Sequence, residues 1–196
     1  MSPRPNPLAV AGVPPAAEAG EYSLDERRQL LALAHASILA GLEGRELDAT
    51  PPSEHLAERR GAFTTLHLRG QLRGCVGYVL PAYPLYRTVA ETAQAAAFRD
   101  ARFPPVTAEE APQLVIEISV LSPLRAIAPE EIEIGRHGLV ITYRTRRGLL
   151  LPQVPLEHGW DRITFLQQTC HKAGLPTDAW EHGVLIEAFT AEVFGE

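Results

Sequence analysis

Cysteine occurs only twice in this 196-residue chain, as Cys75 and Cys170, and methionine only once. Two thiols so far apart form no CxxC pair and no disulfide framework, which fits a reducing compartment and excludes zinc-ribbon and iron–sulfur designs. Basic charge is also short. Eighteen Lys and Arg against 24 Asp and Glu leave a net charge of -6, so no broad cationic field steers a phosphate backbone, and nucleic acid is disfavoured as a partner. No run approaches the roughly eighteen apolar residues a membrane helix needs. The seven histidines are scattered and include no HExxH pair, so no metal site and no cofactor is read from spacing. Residues 1–20, rich in Pro, Ala and Gly, lack the basic start and apolar run of a signal peptide. They read as a disordered leader before one domain spanning residues 21–196, and the protein reads as cytoplasmic.

With 45% hydrophobic residues, the chain can bury one substantial core, or one core with a smaller lobe. Ser23 and Glu26 have capping-box spacing ahead of an apolar stripe at Leu30, Leu31, Ala34, Ile38, Leu39 and Leu42, which predicts a helix. A second helix is expected over Leu85–Phe98 after Pro84. Thr107 and Glu110 repeat the capping spacing before a short helix. Leu114–Leu121 alternates as a strand, with Glu117 and Ser119 on the face opposite Ile116 and Ile118. A hairpin is expected over Gly138–Tyr143 and Gly148–Val154, then a helix from Asp161 or Thr164 to Gly174, then a strand over Val184–Phe189. Without a βαβ rhythm, the class is α+β with mainly antiparallel sheets and flanking helices.

The densest chemistry lies in Leu72-Arg73-Gly74-Cys75-Val76-Gly77. Ala62–Leu68 and Leu72–Val79 predict a hairpin around a three-residue turn, Arg69-Gly70-Gln71. With Leu68 opposite Leu72, Leu66 faces Gly74, Thr65 faces Cys75, and His67 faces Arg73. Arg73 and Cys75 then project to one side, where a guanidinium can bias the thiol towards thiolate. A slip of one residue dissolves that constellation. Phe63 over Gly77 either covers bare backbone or leaves room for a ligand.

Six ordered motifs carry a family resemblance: the hexapeptide, Asp100–Val106, Glu117–Ser122, Gly148–Val154, Gly159-Trp160-Asp161 and Cys170–Leu175. Together they resemble the AMMECR-type domain, whose bacterial and archaeal members are called AmmeMemoRadiSam system protein A. The resemblance covers about Ser23 to the C-terminus; Ala101 stands where the family usually has proline, and Val76 where isoleucine is common. It implies a two-lobed α+β single domain with antiparallel sheet in both lobes and an inter-lobe cleft. It also implies a pathway shared with a Memo-like protein and a radical-SAM protein, but no established reaction.

Three functions follow as expectations. The first is an enzyme or enzyme accessory for a small anionic or carbonyl ligand, with Cys75 as nucleophile, Arg73 as its electrostatic partner, and Thr65 and Glu117 as positioning or proton-transfer groups. Gly74, Gly77, Arg102 and Gln153 would contact the ligand. Against this stand a buried structural Cys75 and a Glu117 that merely pairs with Arg73 or Arg102. The second is a non-catalytic module that docks a Memo-like or radical-SAM partner. The third, a nucleic-acid or regulatory factor, has only the arginine turn at Arg144–Arg147 in its favour. Whether the protein is an enzyme stays open at the level of sequence.

Overall fold

The Ser23 hydroxyl accepts the Glu26 N–H, and the Glu26 carboxylate accepts the Ser23 N–H, so α1 (Leu24–Leu42) opens on the reciprocal cap that the spacing predicts. The computed structural model describes residues 20–196, so the expected leader, apart from Gly20, lies outside the described residues. Leu30, Ala34 and Ile38 turn inward, whereas Leu39, expected in the same stripe, is exposed. Helix α2 (Leu85–Phe98) packs beside α1 and over strands β1 (Ala62–Leu68) and β2 (Gln71–Tyr78). Its alanines allow that close approach.

The architecture is α+β, with two four-stranded antiparallel sheets. The first has the order β2-β1-β3-β8, where β3 is Leu114–Leu121 and β8 is Ala191–Gly195. The second has the order β4-β7-β5-β6, built from β4 (Arg125–Ala126), β5 (Gly138–Tyr143), β6 (Arg146–Leu150) and β7 (Leu185–Phe189). Leu30, Leu66, Val89 and Ile116 belong to the core beneath α1 and α2. Leu139, Ile141, Phe165 and Cys170 belong to a second core beneath α4 (Arg162–Lys172), which starts on Asp161 and stops before left-handed Gly174. The chain passes between the sheets at Ser122–Leu124 and at Thr190. These passages are fastened together: Ser122 N–H donates to the Thr190 carbonyl at 2.9 Å, and Thr190 N–H donates to Ser122 Oγ at 2.9 Å.

The β1–β2 hairpin corrects the expected turn. Arg69 (φ 52°) and Gly70 (φ 76°) form a two-residue turn, with Leu68 opposite Gln71 and His67 opposite Leu72 rather than Arg73. A register shift follows between Leu66 and His67, and Arg73 is the extra residue, a β-bulge. Beyond it the expected pairs appear: Leu66 with Gly74, Thr65 with Cys75, and Phe63 with Gly77. The second hairpin is corrected in the same way, with a turn at Arg144-Thr145 and β6 ending at Leu150. Val154, expected as the last residue of that strand, instead opens the short helix α3 (Val154–His158), with Pro155 in its first turn and left-handed Gly159 behind it. Thr107 and Glu110 do cap each other, but over a turn that leads only into a single 3-10 turn at Ala111–Gln113.

Gly74, expected at a ligand, faces α2 instead, where an added Cβ would run into the Ala96 carbonyl oxygen. Gly74→Ala should therefore force β2 and α2 apart and lower the unfolding free energy by about 1–3 kcal/mol. Urea unfolding measures it, and a wild-type midpoint would disprove the close-packing role.

Candidate functional site

Antiparallel pairing places Cys75, Thr65 and Glu117 in one row across β2, β1 and β3. Because alternate residues share a face, Phe63 and Ser119 form the next row on the same side, with Val193 beside Ser119 on β8. Opposite them stand Gly135 and Arg136, which precede β5, and Leu151, Pro152, Gln153 and Leu156 around the start of α3. The space between the two walls is a pocket of about 700 Å³, with Thr190 and Ala191 also in its lining. It is the cleft the sequence leads one to expect, and the Cys75 side chain lines it rather than the core.

The thiol is held from two sides. Thr65 Oγ1 donates to Cys75 Sγ at 3.3 Å, which fixes the direction in which the sulfur points. On the open edge of β2, Cys75 N–H donates to Asp100 Oδ2 at 2.9 Å, and Arg102 donates to the Cys75 carbonyl at 3.2 Å. Asp100 and Arg102 are themselves joined, Nη2 to Oδ2 at 2.7 Å and Nε to Oδ1 at 2.9 Å. Asp100 is thus a buried clip on the backbone of Cys75, and the Arg102 guanidinium, helped by the Cys75 N–H, holds its carboxyl well below the usual carboxylate range.

Several expected partners stand elsewhere. Arg73 does not reach the thiol: its buried guanidinium pairs with Glu110 at 2.9 Å and donates to the carbonyls of Pro104 at 2.9 Å and Pro105 at 3.3 Å. As the bulged residue it leaves the alternation of β2, and the proline loop takes it up. Glu117 pairs with neither Arg73 nor Arg102, whose carboxylate partners are Glu110 and Asp100. Arg102 grips the strand edge and is not among the residues lining the pocket. Gly77 is covered by the Phe63 ring rather than left open for a ligand. Thr65, Cys75, Glu117 and Gln153 do share the pocket. Sequence reasoning passed over Asp100, Ser119 and Arg136; Ser119 was within reach, two residues from Glu117 on the same strand face.

Two antiparallel sheets, each backed by helix, with a pocket between the first sheet and the loops and short helix that flank the second, define the class of protein. The AMMECR1 family profile matches residues 31–194, and the chain belongs to that family. Protein MK0488 of Methanopyrus kandleri is 44% identical over 188 residues, spanning 90% of this chain and 91% of that protein. A protein of Aquifex aeolicus is 40% identical over 179 residues, or 86% of this chain and 92% of the relative. The crystal structure of uncharacterized protein PH0010 from Pyrococcus horikoshii is similar, with a TM-score of 0.71 at 42% identity, over 86% of this chain and 90% of that one.

The depressed Asp100 carboxyl makes the clip acid-sensitive. Its contribution to stability is complete above the ordinary value of 3.8 and is lost as pH falls through the lower folded value. Asp100→Asn should be less stable than wild type at pH 7, and the gap should narrow below about pH 4. Urea midpoints at pH 7, 4 and 3 measure this; an equal gap at every pH would refute the ionic clip.

Proposed function

We propose that the pocket is a small-molecule site in which Cys75 is the reactive atom, making the protein a cysteine-dependent enzyme or enzyme accessory for a carbonyl-containing ligand. The observation that carries this reading is the Cys75 sulfur in the pocket wall with the Thr65 hydroxyl donating to it. In the step envisaged, the thiolate adds to the carbonyl carbon, a C–S bond forms, and the carbonyl π pair moves to oxygen, which takes a proton from solvent or a pocket hydroxyl. Thr65 orients the sulfur, Gln153 offers an amide to the ligand, and Glu117 positions the ligand or moves a proton. The carbonyl alternative is favoured over the anionic one because Arg73 and Arg102 are both committed outside the pocket, while Arg136, on its wall, is bonded to Glu133.

A second reading has one observation behind it. Leu156 and Val193 line the pocket yet are 60% and 53% exposed, as a surface that docks a Memo-like or radical-SAM partner would have them. Under that reading Cys75→Ser keeps full function and Leu156→Asp weakens partner binding.

Alkylation by iodoacetamide across a pH series tests the first reading. Cys75 should react in the native protein at pH 7 faster than free cysteine, while Cys170, fully buried and with a thiol pKa raised by burial, should stay protected until denaturant is added. A Cys75 that reacts no faster than free cysteine would sink the nucleophile assignment.

A further inference from the structure

Glu117 differs from the carboxylates that arginine holds in this fold. Asp100 is paired with Arg102, Glu110 with Arg73, Glu192 with Arg27 and Glu187 with Arg147. The Glu117 carboxylate has no ion pair and no hydrogen bond among the described residues, although it lies partly buried in the pocket wall. Its pocket-lining neighbours bring it no counter-charge, and His67, on the same face one row along β1, makes no ion pair or hydrogen bond with it. Thr65 and Ser119 are neutral, Phe63, Leu121 and Leu151 are apolar, and Gly195, its cross-strand partner on β8, contributes no side chain. The one cation of the wall, Arg136, is exposed and pairs with Glu133 rather than with Glu117, its Nη1 lying 3.1 Å from both Glu133 carboxylate oxygens.

We infer that Glu117 is the recognition point for a protonated amine, so that the ligand carries an ammonium group together with the electrophilic carbon that meets Cys75. This rests on the proposed reactive-thiol function and deepens it by assigning Glu117 to positioning rather than proton transfer. A carboxylate left unpaired in a partly apolar pocket selects a cation brought by the ligand, and a primary ammonium can donate to both oxygens. A metal ion is a poorer match, because among the described residues no three His, Cys, Asp or Glu side chains converge to hold one. Geometry adds a measure. Cys75 and Glu117 are two strand spacings apart with Thr65 between them, so their Cα atoms are separated by about 10 Å. A short amine-bearing chain bridges the thiol and the carboxylate.

Charge-selective thiol labelling of the full chain tests this. Methanethiosulfonates bearing 2-aminoethyl, ethyl or 2-sulfonatoethyl groups are supplied. The Cys75 thiolate attacks the sulfenyl sulfur, the new S–S bond forms, methanesulfinate leaves with the bonding pair, and the thiol proton goes to buffer. Rates at Cys75 are read by mass spectrometry and divided by the rates for free cysteine. The aminoethyl over ethyl ratio should rise about tenfold, equivalent to ~1.4 kcal/mol. Glu117→Gln should return it to within about twofold of free cysteine, while Glu181→Gln, an equal loss of charge at an exposed site, should leave it unchanged. A reactive Cys75 without cation preference, or a preference that survives Glu117→Gln, overturns the amine site and leaves the thiol reading standing.

If Cys75 does not react, the thiol reading fails, and a second measurement decides the amine site. In Cys75→Ser protein, n-hexylamine hydrochloride should raise Tm while n-hexanol does not, and adding Glu117→Gln should abolish the rise. No rise with the amine, or the same rise without Glu117, overturns the inference.

Discussion

One extra residue in β2 decides which side chains meet in the pocket. The two-residue turn at Arg69-Gly70 sets a register that, carried on without interruption, would put Gly74 opposite Thr65 and Cys75 opposite Thr64, on the buried face. Side chains in a strand alternate with a period of two, so a slip of one residue exchanges the faces completely. The bulge at Arg73 absorbs that slip and returns Cys75 to the side of Thr65 and Glu117. The displaced arginine is a long cation leaving the ladder, and it needs acceptors. Glu110 and the carbonyls of Pro104 and Pro105 supply them, so the proline loop and the register of the hairpin hold each other in place.

Arg73 therefore acts at a distance from the thiol proposed to react. It does not polarise the sulfur, yet it anchors the loop that delivers Asp100 and Arg102 to the edge of β2. An edge strand normally presents unpaired N–H and C=O groups. At Cys75 both are occupied by an ion pair from this loop, which fixes the backbone from which the thiol projects. Preorganisation of that kind lies in the support of the side chain rather than in the side chain itself, and it is what the proposed reactivity of Cys75 calls for.

Local signals carried much of the fold. The caps at Ser23 and Asp161, the helical span Leu85–Phe98, the alternation of Leu114–Leu121 and the glycine stop at Gly174 each obey a rule acting within a few residues, and each is found. The pairing of Thr65 with Cys75 was legible too, although the assumed turn was one residue too long and the bulge restored the count. The remainder depended on contacts distant in sequence. Nothing near Arg73 announces Glu110, and nothing near Cys75 announces the buried carboxylate of Asp100, because only the folded loop brings them together. Helix α3 is a different case: Pro155 at its start and Gly159 after its end are helix punctuation, but the apolar run before them read as strand.

The placement of β8 bears on how the chain acquires this structure. It belongs to the first sheet, yet it follows every strand of the second sheet in sequence. On a growing chain, the first sheet keeps β3 as an open edge until the whole second sheet has been made and the stretch beyond Thr190 can return to it. The part of the pocket lining at Thr190, Ala191 and Val193 is then completed by the same event that closes that edge. A chain halted before residue 191 would lack Phe194 from the first core and would leave the outer edge of β3 free to pair with another molecule.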